Sequence, residues 1–263
     1  VNWMNNRVDP SRKERSTEIR MNVMNEVHFR FCPQALLILF HQVDLDELYQ
    51  LESPNTNASR DWFDDVQFLI CRPRKESKVQ LAATFKGGHN GVNHNHNDLG
   101  TFTVLLGKHE LLTDPGAEVY TSRTFSKNRY QSDLLNSFGH PVPVIANSLQ
   151  VPEKDAHRAN YGSHAYATVL EESFTDEVDR VVLDLANAYK VETLLKLTRT
   201  FMYSRKRDGF VEVVDEVSYS VPENFETALI TYSHWNHNSD GSVRISQNGS
   251  AIDVILSAEE EDL

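Results

Sequence analysis

Apolar and polar residues alternate with a period of two along most of the chain after residue 60. This alternation is typical of half-buried β-strands, because successive side chains of a strand point to opposite faces of the sheet. The pattern predicts strands at Val66–Arg72, Val79–Phe85, Thr101–Leu106, Glu110–Thr113, Ala165–Phe174, Val178–Leu185, Leu194–Tyr203, Phe210–Tyr219, Phe225–Tyr232, Val243–Ser246 and Ala251–Leu256.

Short turns separate neighbouring predicted strands, for example Lys206–Gly209 and Asn248–Gly249. Such turns are typical of antiparallel hairpins, whereas parallel strands need crossover helices, and no amphipathic helix-length segments alternate with these strands. So many strands exceed what one open sheet usually holds. We therefore predict a mainly β fold, a large antiparallel β-sandwich formed by two packed sheets.

Residues 1–52 follow a helical pattern instead. Asp9–Pro10 is a suitable helix start, and apolar residues such as Ile19, Val23 and Val27 then recur at helical spacing. The polar stretch Ser53–Ser59 has the composition of a loop. We expect a short α-helical segment over residues 1–52 and a sandwich domain over residues 61–263.

Charge and composition exclude several classes of protein. The 26 basic and 38 acidic residues give a net charge of −12, which argues against a sequence-independent nucleic-acid binder. The longest apolar run, Ala35–Phe40, is far shorter than the roughly 20 residues that a membrane-spanning helix needs. Two cysteines, Cys32 and Cys71, provide no disulfide framework.

The segment Gly87–Gly100 contains the densest group of chemically active side chains. His94 and His96 are two residues apart, so in an extended strand both rings would project from the same face, with Asp98 continuing it. Asp114, before Pro115–Gly116, and His140 add a carboxylate and a further imidazole. Such a set suits zinc or a divalent iron with open positions. The alternative is that these histidines are buried and hydrogen-bonded while Asp114 only caps a turn.

Several separate motifs, in order, resemble the heparinase II/III-like family of polysaccharide lyases. The resemblance is carried by His94–Phe102, Leu111–Gly116, Tyr120, Phe125, Arg129–Tyr130, Asn136–His140 and Leu197–Val217. In this family an N-terminal α/α toroid precedes the antiparallel β-sandwich, and the substrate lies between them. The resemblance implies that residues 1–52 are the final helices of a toroid, and that the full-length protein has an N-terminal toroid domain missing from this chain.

The resemblance also implies a zinc ion bound by His96, Asp114 and His140. His140 is assigned from its Asn-Ser-x-Gly-His context, and His157 or His164 is an alternative ligand. A structural zinc that ties the histidine segment to two loops is expected. A catalytic zinc with an activated water is the alternative, although elimination needs no water nucleophile.

The activity implied is β-elimination on an anionic, uronic-acid-containing polysaccharide or oligosaccharide, in the bacterial periplasm or outside the cell. We expect His94 and Tyr130 to act in catalysis, and Arg129, Tyr120 and Arg123 to bind substrate. Because the family's toroid carries further catalytic groups, this chain alone is expected to be inactive. Two alternatives are a non-catalytic carbohydrate-binding or structural sandwich, and a His/Asp metal-dependent enzyme of another sandwich fold.

Overall fold

A computed structural model describes residues 58–152 and 165–258. They form fourteen strands: β1 (Arg60–Phe63), β2 (Phe68–Cys71), β3 (Leu81–Lys86), β4 (Phe102–Leu106), β5 (His109–Leu112), β6 (Val144–Ile145), β7 (Thr168–Phe174), β8 (Val178–Asp184), β9 (Leu194–Ser204), β10 (Phe210–Tyr219), β11 (Phe225–Glu226), β12 (His234–His237), β13 (Val243–Gln247) and β14 (Ser250–Val254). The helices are single 3₁₀ turns at Asp64–Val66, Arg129–Gln131, Ser137–Gly139 and Ala186–Ala188. The helical segment predicted over residues 1–52, and with it the domain division, lies outside the described residues and stays a prediction.

The two main sheets have the strand orders β1-β2-β3-β4-β5 and β10-β9-β8-β7. Two smaller sheets, β11-β6 and β12-β13-β14, complete the described part of the chain. Every strand pairing in these ranges is antiparallel. The prediction of an antiparallel β-sandwich is therefore confirmed. Among the same residues no helix is long and apolar enough to cross a membrane.

The core lies between the two main sheets and is built from alternate residues of their central strands. In β3 the buried positions are every second residue from Leu81 to Phe85, and in β8 Val181 and Leu183 alternate with half-buried residues in the same way. The rings of Phe85 and Phe201 stack with centroids 4.6 Å apart and join the two sheets directly. Burial of this apolar face is the main stabilising contribution to the fold.

One end of the sandwich is held by a buried carboxylate. Asp179, at the start of β8, is fully buried and accepts hydrogen bonds from Arg60 Nε and Arg205 Nη2, each at 2.5 Å. Arg60 lies on β1 and Arg205 directly follows β9, so this ion cluster connects the two main sheets. Removal of one partner of such a group is costly because it leaves a buried charge uncompensated.

The structure departs from the predicted strands in two ways. Phe225–Tyr232 was predicted as one strand, but only Phe225–Glu226 pairs, and beyond it Thr113 N–H donates to the Ile230 carbonyl in a loop. The pattern also missed β1, β6 and β12. β6 has only two residues, and all four residues of β12 are exposed, so neither has an alternation of burial that sequence could report.

We predict that Leu183→Ala lowers the free energy of unfolding by about 2–5 kcal/mol, because the side chain is 1% exposed in a central strand and its loss leaves a cavity. The matched control is Leu170→Ala in the adjacent strand β7. That side chain is 55% exposed, and its truncation should change stability by no more than about 0.5 kcal/mol. Urea denaturation followed by circular dichroism measures both, and equal losses would contradict the assignment of the core face.

Candidate functional site

The histidine segment lies in the loop between β3 and β4, so the extended geometry that would place His94 and His96 on one strand face is not found. His94 has a φ of 60°, in the left-handed region, and sits in a turn. The rings of His94 and His96 therefore do not share a strand face. His94 is exposed and contacts Tyr120, whereas His96 is half-buried and its ring lies beside His140.

Buried amides hold this loop in place. Asn95 Nδ2 donates to Asn97 Oδ1 at 3.2 Å, and Asn97 N–H donates to the Leu135 carbonyl at 3.0 Å. Gln150 clasps the backbone of Leu99, accepting its N–H through Oε1 at 3.1 Å and donating through Nε2 to its carbonyl at 2.7 Å. Asparagine favours irregular backbone and supplies side-chain hydrogen bonds, so the Asn-rich sequence forms an ordered loop instead of a strand.

A histidine–carboxylate pair forms the buried part of the site. His140 is 0% exposed, and its Nδ1 lies 2.9 and 2.8 Å from the two carboxylate oxygens of Asp114. Thr101 Oγ1 donates to Asp114 Oδ2 at 2.6 Å, and Gly116 N–H donates to Oδ1 at 3.1 Å. Burial raises the pKa of Asp114, but these hydrogen bonds, led by that of His140, outweigh it and lower the pKa to about 2.

The second ring nitrogen of His140 identifies this pair as a candidate ligand group. His140 Nε2 is buried and has no hydrogen-bond partner within residues 58–152 and 165–258. If Nδ1–H donates to Asp114, Nε2 is a free lone pair. Buried polar atoms are nearly always paired, so the unpartnered Nε2 marks His140 as a candidate ligand. A metal shared with Asp114 would instead be bound through Nδ1, the ring nitrogen 2.8 Å from the carboxylate, in place of the proton between them. The donor set therefore fits a metal ion.

Asp98 and His96 are the two candidates for a third metal ligand beside Asp114 and His140. One ligand atom from each of Asp98, Asp114 and His140 lies within 4.8 Å of the others. Asp98 also accepts from Lys86 Nζ at 2.5 and 2.6 Å through both carboxylate oxygens. The His96 ring centroid lies 5.4 Å from that of His140, and burial, reinforced by His140, lowers the pKa of His96, which favours the neutral ligand form.

The sequence hypothesis named His96, Asp114 and His140, and the structure brings all three into one region. The ligand set predicted from the sequence does not include Asp98, although Asp98 lies only two residues after His96 and carries a carboxylate. His157 and His164, the alternatives to His140, lie outside the described residues.

An exposed aromatic cluster forms the outer part of the site. The His94 and Tyr120 rings stack with centroids 5.7 Å apart, and the Tyr120 hydroxyl is 3.2 Å from His94 Nδ1. Phe125 packs edge-on against both rings, at 6.3 and 5.3 Å between centroids. A hydroxyl and an imidazole that are hydrogen-bonded at the surface can donate a proton to a bound molecule or accept one from it.

The two arginines predicted to bind substrate, Arg129 and Arg123, form hydrogen bonds and an ion pair within the protein. Arg129 is 5% exposed, and its guanidinium donates to the Asn95 carbonyl at 3.1 and 2.7 Å and to the Thr124 carbonyl at 3.0 Å. Arg123 pairs with Glu118 and donates to the Arg129 carbonyl at 3.1 Å. These contacts give both arginines a role in holding the loops around His94 together, and they do not support direct substrate contact by Arg129.

Tyr130, the second predicted catalytic residue, lies beneath the same loop. Its hydroxyl accepts a hydrogen bond from Asn95 Nδ2 at 3.3 Å, and the Arg129 guanidinium lies 5.8 Å from its ring centroid. The structure thus places Tyr120, and not Tyr130, in contact with His94. Sequence order alone gave no means to choose between the two tyrosines.

Comparison with known proteins assigns the fold to a family. Residues 55–261 match the family described as heparinase II/III-like, C-terminal, and the chain belongs to that family. This membership sets aside the alternative of a metal-dependent enzyme with another sandwich fold. No functionally curated protein matches the chain significantly.

Two solved structures with similar folds are named as a heparan sulfate lyase and a heparinase. The heparan sulfate lyase HepC from Pedobacter heparinus is 15% identical, with a TM-score of 0.58, and the match covers 81% of this chain and 32% of that one. A structure of heparinase III is 18% identical, with a TM-score of 0.53, and the match covers 75% and 28%. The chain thus spans about a third or less of each of these structures.

We predict a pH-dependent stability from Asp114 in the metal-free protein. Its folded-state pKa of about 2 lies below the ordinary value of 3.8, so its contribution is present above pH 4 and is lost as the pH falls towards 2. Between pH 5 and pH 3 the wild-type free energy of unfolding should fall by about 1 kcal/mol more than that of Asp114→Asn. The exposed control Asp176→Asn should follow the wild type, and identical pH profiles for all three proteins would contradict the prediction.

Proposed function

We propose that this chain is the sandwich portion of a polysaccharide lyase that cleaves a uronic-acid-containing anionic polysaccharide by β-elimination. The observation that carries the proposal is the exposed His94–Tyr120 pair beside a buried His/Asp cluster, in a chain that belongs to the heparinase II/III-like family. The names of the structural neighbours, a heparan sulfate lyase and a heparinase, support a sulfated or carboxylated glycan as substrate.

The reaction requires three kinds of group. A base removes the proton on C5 of the uronate, the electron pair forms the C4=C5 double bond, the C4–O4 bond breaks, and an acid protonates the leaving O4. The C5 proton lies next to a carboxylate and is only weakly acidic, so that carboxylate must also be neutralised. In the proposal His94 and Tyr120 transfer protons or hydrogen-bond the substrate at this face.

The two tyrosines have different parts in this proposal. Tyr120 is exposed and its hydroxyl meets His94 Nδ1, which suits a group that touches substrate. The Tyr130 hydroxyl is engaged by the Asn95 amide, which suits a residue that holds the loop. Tyr130 remains a candidate for catalysis only if the Asn95 contact is exchanged for substrate.

The proposed metal is a structural zinc held by His96, Asp114 and His140. When bound it would cross-link the β3–β4 loop to the segments after β5 and around His140, and its binding energy would add to the stability of the loops. His96 is preferred to Asp98 as the remaining ligand because both carboxylate oxygens of Asp98 already contact Lys86. Metal binding by His96 would then fix the β3–β4 loop and with it the position of His94.

The remaining catalytic groups are proposed to lie on a helical toroid of the complete enzyme, which would face the sandwich across the substrate cleft. This follows from the family resemblance and agrees with the chain's coverage of 32% of the HepC structure. The chain alone is then inactive. The complete enzyme is proposed to act in the periplasm or outside the cell, where such polymers are met.

We predict that His94→Ala, made in the complete enzyme with its helical domain, retains its metal and melting temperature. Elimination activity should fall about 10²–10⁴-fold, as expected for loss of a positioned proton-transfer group. The assay follows the absorbance of the unsaturated uronate product across a panel of uronate polymers. His234→Ala, an exposed histidine of β12, is the control and should keep full activity.

Activity of His94→Ala within a few-fold of the wild type would show that His94 is not catalytic. A wild-type enzyme that binds these polymers but never forms the unsaturated product would favour the non-catalytic, carbohydrate-binding alternative.

We predict that His96→Ala and Asp114→Ala each lower the zinc content and the melting temperature together, because metal-binding energy adds to folding energy. Asp98→Asn tests the competing ligand and should retain zinc. Elemental analysis and thermal unfolding with and without a chelator measure both properties. Loss of zinc in Asp98→Asn with retention in His96→Ala would transfer the ligand role to Asp98, and unchanged zinc in all three variants would contradict the site.

A further inference from the structure

A buried arginine on β9 reaches the backbone on both sides of the candidate metal cluster. Arg199 is 0% exposed, and its Nη1 donates to the carbonyl of Gly100 and to the carbonyl of Pro141, each at 2.8 Å. Gly100 immediately precedes Thr101, whose hydroxyl binds Asp114, and Pro141 immediately follows His140. One nitrogen atom therefore joins the two backbone segments that carry the cluster.

We propose that Arg199 is a positioning residue for this metal centre, setting the separation between the Asp98–Thr101 segment and His140. The proposal rests on the zinc site put forward above and concerns how that site is held in shape. Arg199 acts through the backbone and touches none of the ligand side chains in the contacts described.

The guanidinium is well suited to this role because all five of its N–H groups have partners. Nε and Nη2 donate to the two carboxylate oxygens of Asp215 at 2.6 Å each, and Nη2 also donates to Thr227 Oγ1 at 3.0 Å. Asp215 lies opposite Arg199 on the neighbouring strand β10. The planar fork is thus fixed by the sheet on one side, and the two protons of Nη1 point to the loops on the other.

The backbone at Gly100 is shaped to accept this contact. Gly100 has a φ of 88°, which a residue with a side chain rarely adopts, and an added Cβ would lie 2.7 Å from Leu185 Cδ1 and 3.4 Å from Arg199 Cδ. The loop can approach the sheet here only as glycine. The Thr101 N–H then donates to the Asp98 carbonyl at 3.0 Å, which links Asp98 to the same anchored turn.

The test is a metal titration of the whole chain, prepared metal-free, with Zn²⁺ for affinity and Co²⁺ for the ligand-field spectrum. Arg199→Lys keeps the charge that Asp215 needs but cannot reach both carbonyls with a fixed fork. It should weaken Zn²⁺ binding about 10–100-fold, the range found when groups supporting metal ligands are removed, and should alter the Co²⁺ spectrum. Asp215→Asn frees the fork from its anchor and should show a smaller change in the same direction.

Tyr203→Phe is the matched control for a general loss of stability. Tyr203 lies on the same strand and face as Arg199, is also buried, and donates a 2.6 Å hydrogen bond to the Leu81 carbonyl away from the cluster. This variant should lower the melting temperature yet leave the Zn²⁺ dissociation constant and the Co²⁺ spectrum within twofold of the wild type.

Three outcomes separate the proposal from the zinc site itself. A wild-type chain that binds no Zn²⁺ overturns the zinc site, and the positioning role falls with it. Wild-type binding that is unchanged in both Arg199→Lys and Asp215→Asn overturns the positioning role alone. Equal weakening in Tyr203→Phe also overturns it, because the effect would then follow stability. If Arg199→Lys does not fold, Asp215→Asn against Tyr203→Phe decides the question.

Discussion

The contact between the Asp114 carboxylate and the buried His140 ring is the constraint on which the site depends. The Asp114 carboxylate is only partly exposed to water, and Thr101, Gly116 and His140 supply its hydrogen-bond donors from three separate segments. The loops around the cluster therefore cannot move independently of one another. A sheet framework with an apolar core provides the rigidity that this arrangement needs.

The same loop serves two environments. His96 faces inward to the polar cluster, while His94, two residues earlier, lies at the surface with Tyr120 and Phe125. Arg129 lies between these regions, donating to the carbonyl of the intervening residue, Asn95. Only Asn95 separates the half-buried His96 from the exposed His94. The position of the His94 ring therefore depends on how firmly the loop is held at His96.

Sequence patterning predicted the strands well where burial alternates, as in β3 and β8, and it failed where it does not, as in β12. The spacing of His94 and His96 cannot show the left-handed turn at His94, which removes the shared strand face. Sequence does not distinguish a guanidinium that binds backbone carbonyls, as that of Arg129 does, from one that faces solvent. The family motifs named His96, Asp114 and His140, which the structure places in one region, whereas the contacts of Arg199 with the loops required coordinates.

The positive φ of His94 sets the stability of the loop against the catalytic role proposed for this residue. A side chain other than glycine or asparagine in this region costs of the order of 1 kcal/mol, so a glycine or asparagine there would relax the loop. Directed evolution for heat resistance alone would therefore favour the loss of this imidazole, whatever its proposed part in catalysis. If the proposed role of His94 holds, selection for thermostability should include an activity screen, because a more stable loop would otherwise be obtained by replacing the His94 ring.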